Sequence, residues 1–351
     1  MRNTPLSLAD KTLALLGDSV TDGGTLTLVF EQSLQAAGEI PPRCLNVAVC
    51  GNRACDMLAR LDRDVLPYKP EFMTLSAGVN DANNGVTPEA FERDVTTILN
   101  RMRAAGTQVI LLTPTPNTGA HAAKAKPLLD AYLATLHRLA AERHLRIAEI
   151  NRYMQSDLDA GGKPVAEDGI HITFEGYRVM VRALLDALDY RKVPVVTNTK
   201  LAPLPGLITP WRLHKATVEA PLEAATIAAL QPDATWKTLN LPQTESCGSW
   251  WSDQERQRGF AIDVNHLLGQ AKRYQGYAEI TASTPRQIYL NTGGSLETIW
   301  LNGHKVFQTP NDSGWHPGKE RIPVTLIPGV NRLVIETGSS FFLSATDGKD
   351  W

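Results

Sequence analysis

The chain has 351 residues, of which 43% are hydrophobic and 21% charged, and its formal net charge is −2 at pH 7. This length allows two domains of ordinary globular composition, and the near-neutral charge excludes a basic surface field that would hold nucleic acid. The apolar runs are strand-sized and fall far short of the roughly 20 residues that span a bilayer, so the sequence predicts no membrane span.

The first half of the chain alternates short apolar runs with helical patterns. The runs are rich in leucine and β-branched residues, as parallel strands buried on both faces are. Strands are predicted at TLALL (12–16), CLNVAV (44–49), FMTLSA (72–77), QVILLT (108–113) and LRIAEI (145–150). Helices are predicted at 26–38, 54–66, 88–106, 126–144 and 173–190. Five strand–helix units in succession predict an α/β domain over residues 1–190, built on an open, doubly wound parallel sheet.

The pattern changes after residue 190. Residues 191–215 carry four prolines and one short helical stretch (221–231) follows, which indicates a linker or a strap over residues 191–230. Alternating runs follow at 259–264, 277–283, 286–292, 296–302, 321–327 and 332–337. The turn signals Asn302-Gly303 and Pro328-Gly329 stand between such runs. Many short strands at regular spacing predict an all-β jelly-roll sandwich over residues 231–351.

Two features of the sequence bear on its compartment and on metals. The first residues, MRNTPLSLADK, lack an apolar core, so we expect a cytoplasmic protein, or a secreted or periplasmic one if a signal was removed upstream. The four cysteines match no zinc spacing, and we therefore expect no metal site; they are Cys44, Cys50, Cys55 and Cys247.

Four polar segments come after predicted strands. They are Gly17-Asp18-Ser19, Gly51, Gly78-Val79-Asn80-Asp81 and Asp168-Gly169-Ile170-His171. Because ligands of an open parallel sheet bind at the carboxyl ends of its strands, we expect all four segments to meet at that edge.

Ser19 is a candidate nucleophile, since a serine hydroxyl attacks once a base has removed its proton. His171 stands before a predicted helix, and Asp168 lies three residues earlier. A tight turn can place that carboxylate against one imidazole nitrogen and leave the other nitrogen for Ser19, as in a catalytic triad. Each residue also has a plain interpretation, because serine and aspartate often cap helices.

Gly51 and Asn80 are candidate oxyanion donors. Acyl transfer builds negative charge on a carbonyl oxygen, and fixed donors there raise the rate by about 10²–10³ each. A glycine N–H approaches closely, an asparagine carboxamide offers another N–H, and the Ser19 N–H at a helix start is a third. The alternatives are a plain turn at Gly51 and an Asx-turn at Asn80.

Taken together, GDSV, Gly51, GVND and DGIH resemble the four signature blocks of the SGNH, or GDSL-type, hydrolases, over about residues 10–190. The resemblance implies a five-stranded flavodoxin-like α/β/α sandwich. It implies that Ser19 is the nucleophile and that His171, oriented by Asp168, is the general base. It also implies an oxyanion hole of the Ser19 and Gly51 amides with the Asn80 side chain.

The resemblance implies a serine esterase that removes short acyl groups, above all acetyl, from a small-molecule or polysaccharide ester, without metal or cofactor. The runs IWLNGHKVF (299–307) and VTLIPGVNRLVIET (324–337) resemble galactose-binding-like jelly rolls, which accompany carbohydrate-active enzymes. In this half Trp300 is expected to be core. Two alternatives stay open: a lipase, thioesterase or lysophospholipase with the same site, and a carbohydrate-binding protein with a vestigial hydrolase half. Substrate-binding residues and the oligomeric state stay undetermined.

Overall fold

The computed structural model describes residues 5–200, 203–217, 221–243, 256, 259, 261–309 and 320–348. The chain divides into two compact units, Met1–Thr199 and Lys200–Trp351. Each unit has its own sheet and its own apolar clusters.

The N-terminal unit is built on a parallel sheet with strand order β2-β1-β3-β4-β5. Its strands are β1 (Thr12–Leu16), β2 (Arg43–Asn46), β3 (Phe72–Ser76), β4 (Gln108–Leu112) and β5 (Arg146–Ala148). Every neighbouring pair runs parallel. This is the strand order of flavodoxin-like folds, and it confirms the predicted doubly wound sheet of five strands.

Helices connect these strands. They are α1 (Ser19–Asp22), α2 (Thr25–Ala36), α3 (Ala54–Ala59), α4 (Leu61–Asp64), α5 (Val79–Asn83), α6 (Pro88–Ala104), α7 (Gly119–Arg143), α8 (Ile150–Asp159) and α9 (Phe174–Ala187), with a 3₁₀ turn at Leu66–Tyr68. As the sequence predicts, Thr87 caps α6 by accepting a hydrogen bond from Ala90 N–H, and Pro88 occupies the first helical position.

The two faces of the sheet carry separate apolar clusters. Ala14 and Leu16 of β1 pack with residues of α3, α6 and α7. The alternate residues Leu13 and Leu15 pack with α2, α8 and α9. Because successive strand residues point to opposite faces, the sheet is buried on both sides, which gives an α/β/α sandwich.

Several boundaries differ from those predicted. Strand β2 ends at Asn46 instead of residue 49, although the N–H groups of Val47 and Val49 still donate to Leu15 O and Gly17 O. The Asn46 side chain bonds Thr21 O, Asp22 O and Ala48 N–H at this point. The helix predicted over 54–66 is interrupted at Arg60, which separates α3 from α4. Asn46 and Arg60 both bond backbone groups near the carboxyl end of β1.

Two further helices depart from the prediction. Helix α7 begins at Gly119, seven residues before the predicted start, and carries Pro127 in its interior. Pro127 is exposed, and the helix continues past it although proline has no N–H to donate. Helix α8 was not predicted. It is short, and only Ile150 and Met154, four residues apart, are fully buried against the sheet.

The described residues of the C-terminal unit lie mainly in β-strands, with a few short helical segments. Its strands are β6 (Trp211–Lys215), β7 (Lys237–Leu239), β8 (Ile262–Asp263), β9 (Tyr274–Ala282), β10 (Arg286–Leu301), β11 (His304–Gln308), β12 (Glu320–Leu326) and β13 (Gly329–Thr346), and its helices are α10 (Ala224–Ala229) and α11 (Val264–Leu268). The described pairings in this unit are antiparallel. An all-β second unit is therefore confirmed.

Two differences concern this second sheet. Strand β6 lies within the segment for which the sequence indicates a linker, and it pairs with β7 and β9. The runs predicted at 286–292 and 296–302 form one strand, β10, whose register shifts between Gly294 and Thr298. Such shifts bend a strand without ending it. The predicted two-residue turn at Asn302-Gly303 is confirmed, with positive φ at both residues.

Trp300 is buried, as expected, with Trp236, Tyr277 and Val334. The other tryptophans considered in this half, and Cys247, lie outside the described residues; they are Trp250, Trp251, Trp315 and Trp351. The two tryptophans in this cluster are thus core residues.

Candidate active site

The loop before α9 carries an aspartate–histidine pair. Asp168 Oδ2 lies 2.6 Å from His171 Nδ1, and Asp168 Oδ1 accepts hydrogen bonds from the N–H groups of Ile170 and His171, both at 2.9 Å. Burial raises the pKa of Asp168, but these hydrogen bonds outweigh it, so its pKa lies below the usual 3.8. The carboxylate is thus held in its ionised form, facing the imidazole.

Gly169 lets this loop lie against the start of α7. Its φ of +77° is one that other residues rarely adopt, and a Cβ there would meet Thr118 O at 2.5 Å. Thr118 N–H donates to Gly169 O at 2.9 Å, which ties the loop to the chain that leaves β4. Glycine is therefore required at this position by both conformation and space.

Ser19 stands where β1 gives way to α1. Asp18 caps that helix by accepting a hydrogen bond from Val20 N–H, and Ser19 is its first residue. Ser19 Oγ lies 3.0 Å from His171 Nε2, on the ring side opposite Asp168. The line Ser19–His171–Asp168 can pass the hydroxyl proton to a base whose other nitrogen is oriented by a carboxylate.

Asn80 lies in the first turn of α5, at the carboxyl end of β3. Its Nδ2 donates to Asp18 Oδ2 at 3.3 Å and to Asn52 O at 3.2 Å. Asp18 and Asn52 are the chain neighbours of Ser19 and Gly51, so the carboxamide stands between the two segments predicted to supply oxyanion donors. Both bonds are long for an N–H···O contact.

Hydrogen bonds hold the residues on both sides of Gly51. Gly51 has a φ of +79° and is exposed, with nothing within 4 Å of where a Cβ would stand. Before it, Cys50 N–H donates to Asp22 Oδ2 at 2.7 Å. After it, the Asn52 side chain accepts from Arg60 Nε at 2.6 Å. The glycine is thus the exposed point of a tethered turn.

Two buried carboxyl groups lie behind the site. Burial raises the pKa of Asp18 to about 6, opposed by the Val20 hydrogen bond and supported by the charge of Asp81. Burial likewise raises the pKa of Asp81 to about 6, although it accepts hydrogen bonds from the N–H groups of Ala54 and Gly78. Asp81 thereby ties the start of α3 to the start of α5.

The structure brings Ser19, His171 and Asp168 into direct contact, and it places Asn80 between the neighbours of Ser19 and Gly51. Sequence reasoning missed the supporting groups Asp22, Asn46, Asn52 and Arg60. One signal was present: Arg60 and Asp64, four residues apart, interrupt the apolar face of the predicted helix over 54–66. Charges at such a position indicate a buried ion pair.

In the part of the chain that the structure describes, no group of three or more His, Cys, Asp or Glu side chains is arranged to hold a metal ion. Over the same residues, no helix has the length and hydropathy that crossing a bilayer needs.

Residues 15–179 match the model of the GDSL-like Lipase/Acylhydrolase family. This match supports a GDSL/SGNH hydrolase domain in the N-terminal half of the chain. An acetylxylan esterase of Geobacillus stearothermophilus is 23% identical over 211 residues, which are 52% of this chain and 95% of that protein. Esterase TesA of Pseudomonas aeruginosa is 28% identical over 111 residues, which are 30% of this chain and 54% of that protein.

Solved structures are similar over the same share of the chain. The structure of Axe2, an acetylxylan esterase from Geobacillus stearothermophilus, aligns with a TM-score of 0.48 at 21% identity, over 52% of this chain and 96% of that one. A lipase/acylhydrolase from Enterococcus faecalis aligns with a TM-score of 0.47 at 20% identity, over 54% and 100%. With a GDSL/SGNH domain and esterases among its relatives, the protein is a carboxylic ester hydrolase.

Proposed function

We propose that this protein is a serine esterase that hydrolyses short acyl esters, chiefly acetyl, on a carbohydrate. The observation that carries the proposal is the line of contacts from Ser19 Oγ to His171 Nε2 (3.0 Å) and from His171 Nδ1 to Asp168 Oδ2 (2.6 Å). The hydroxyl, the base and the orienting carboxylate are already within hydrogen-bond reach, which is the geometric requirement for nucleophilic catalysis.

In the proposed reaction Ser19 Oγ bonds to the ester carbonyl carbon while its proton passes to His171 Nε2. The tetrahedral intermediate collapses, the carbon–oxygen bond to the alcohol breaks, and the imidazolium returns the proton to that alcohol. A water molecule then attacks the acyl-serine by the same route. The water proton goes to His171 and back to Ser19, which leaves a carboxylic acid and the free enzyme.

The oxyanion is proposed to bind the Ser19 and Gly51 amides and Asn80 Nδ2. The Ser19 amide belongs to the first turn of α1, and the positive φ of Gly51 suits an amide presented from a tight turn. Asn80 Nδ2 is engaged at 3.3 Å with Asp18 and at 3.2 Å with Asn52 O. Catalytic hydrogen bonds are often long before substrate binds, so a developing oxyanion can draw one of these N–H groups away.

Two observations support an acetylated carbohydrate as the substrate. The exposed fractions of the His171 and Asp168 side chains are 39% and 50%, so the base stands at an open surface that a bulky sugar can reach. The acetylxylan esterase of Geobacillus stearothermophilus matches along 95% of its own length. We further assign the C-terminal unit as a jelly-roll accessory domain, since β10 and β13 are long and antiparallel and their pairing contains register shifts.

Replacing Ser19 by alanine tests the proposal. The expected result is a loss of p-nitrophenyl acetate hydrolysis of about 10⁴-fold or more, because the nucleophile is gone. Ser156→Ala, at an exposed serine on α8, is the matched control and is expected to keep wild-type turnover. Circular dichroism must show both variants folded. A folded Ser19→Ala enzyme with wild-type turnover contradicts the proposal.

The acyl group and the acceptor are tested separately. A series of p-nitrophenyl esters from two to twelve carbons is expected to give its highest kcat/KM at the shortest chains. A maximum at long chains instead favours the lipase, thioesterase or lysophospholipase alternative. Acetate release from acetylated xylan, pectin, chitin-derived and peptidoglycan substrates identifies the acceptor. Sugar binding without any hydrolysis supports the vestigial-hydrolase alternative.

A further inference from the structure

Arg60 is a buried cation next to the candidate active site. Its side chain is 5% exposed, and it stands at the break between α3 and α4. The carboxylate of Asp64, 1% exposed, balances its charge at 3.1 Å. A buried ion pair is weak evidence for stability, because desolvation offsets the attraction between the charges. The role of Arg60 therefore depends on the hydrogen bonds that its other N–H groups donate.

The remaining N–H groups of Arg60 reach three points on two loops. Nε donates to Asn52 Oδ1 at 2.6 Å and Nη1 donates to Val47 O at 2.5 Å, both on the loop after β2. Nη2 lies 3.4 Å from Gly17 O, at the carboxyl end of β1 just before Asp18 and Ser19. One rigid, planar group thus spans the segment of the nucleophile and the segment of Gly51.

The network continues from Asn52 to Asn80. The Asn52 side chain is held by Arg60, and its backbone carbonyl accepts from Asn80 Nδ2 at 3.2 Å. Asn52 itself is buried, with 8% of its surface exposed. The position of the Asn80 carboxamide therefore depends on the position of Asn52. The position of Asn52 depends in turn on its hydrogen bond from the Arg60 guanidinium group.

We propose that Arg60 and Asn52 are positioning residues that fix the Asn80 carboxamide and the Gly51 turn relative to Ser19, an inference that rests on the proposed function. Neither residue touches substrate. Each acts through the donors of the oxyanion hole, where a displacement of about 1 Å costs on the order of 10²-fold in rate.

The test is a double-mutant cycle on kcat for p-nitrophenyl acetate. Asn52→Ala is expected to lower kcat about 10- to 100-fold while KM changes less than about threefold, because the lost geometry matters to the transition state. In an Asn80→Ala background the same substitution is expected to lower kcat by a clearly smaller factor, since only the Gly51 amide then remains for Asn52 to position. Equal loss in both backgrounds overturns the proposal, as does unchanged kcat in folded Asn52→Ala.

Arg60→Lys tests whether the planar guanidinium group, which bonds both loops, is needed. Lysine keeps the charge beside Asp64 but cannot bond both loops, so kcat is expected to fall at least about tenfold in a protein that remains folded. Arg63→Met is the matched control, because Arg63 also contacts Asp64 (2.7 Å) but lies 36% exposed and is expected to leave kcat unchanged. Wild-type kcat in Arg60→Lys overturns the proposal. If the proposed function itself is wrong, the result is different: the Ser19→Ala variant stays active.

Discussion

The two sides of the candidate active site are built in opposite ways. The base side is local and open: Asp168 and His171 are three residues apart, half to a third exposed, and joined within one loop. The donor side is long-range and buried: Asn46, Asn52 and Arg60 are each less than a tenth exposed. Asn46 and Arg60 bond backbone carbonyls from distant parts of the chain, and Asn52 joins the Arg60 and Asn80 side chains. In the proposed mechanism an accessible loop carries proton transfer and a buried network supports the oxyanion donors. Substitutions on the two sides are therefore expected to differ in their effects on activity and on stability.

The largest expected effect is on the base side. His171→Ala is expected to lower kcat about 10⁴-fold, because no base then takes the Ser19 proton, while the free energy of unfolding changes by less than about 0.5 kcal/mol at this exposed position. Turnover of p-nitrophenyl acetate and urea denaturation measure the two quantities. His304→Ala, at an exposed histidine of β11, is the control. A strongly destabilised His171→Ala protein would contradict the view that the base side contributes to activity and little to stability.

On the donor side, Asn80→Ala is expected to lower kcat by about 10²–10³-fold with a small change in KM, because one oxyanion donor is lost. Steady-state kinetics on p-nitrophenyl acetate give both constants. Asn84→Ala, at the exposed asparagine that donates to Asn80 O, removes an amide at the opposite end of α5 and is expected to keep wild-type kcat. A loss confined to KM would argue against an oxyanion role.

Asn46→Ala is expected to act mainly on stability. It removes buried hydrogen bonds to Thr21 O, Asp22 O and Ala48 N–H, at about 1 kcal/mol each, so the free energy of unfolding should fall by about 2–4 kcal/mol. Urea denaturation measures the change. Asn100→Ala, at an exposed asparagine of α6, is the control and should stay within about 0.5 kcal/mol. An equally small change for Asn46→Ala would show the donor side to be less rigid than the contacts imply.

The stability contributions of Asp18 and Asp168 should change with pH in opposite directions. The pKa of Asp18 is raised to about 6 from 3.8, so the folded state binds its proton more tightly, and this group costs about 3 kcal/mol of stability as pH rises from about 4 to 6. The pKa of Asp168 is lowered, so its contribution is present above 3.8 and is lost as pH falls below it. Unfolding free energies between pH 3 and 8, for wild type and Asp18→Asn, test this. The variant should lose less stability between pH 4 and 6, and an identical slope would contradict the assignment.

The sequence was sufficient where short-range patterns decide the structure. Strand β1 has the predicted bounds, and β3 and β4 differ by one residue, because runs buried on both faces carry a strong apolar signal. The four polar segments follow their strands as predicted, and parallel topology brings Ser19 and His171 together. Three bonded side chains could therefore be named without coordinates.

The sequence was insufficient where a polar side chain turns inward. The bonds of Asn46 and Arg60 join partners far apart in the chain, and no local pattern records them. Asn46 lies where β2 ends, and Arg60 lies where the helix predicted over 54–66 is divided. In the second unit, the register shift in β10 lets one strand bend where two were predicted, and a bend of this kind depends on both neighbouring strands.

The hydrogen bond from Ser19 to His171 joins residues 152 positions apart. During synthesis the serine leaves the ribosome first, and its base is added only after the whole sheet has been translated. Under the proposed function, a nascent chain has a nucleophile without its base, and we expect any product truncated before Asp168 to be inactive.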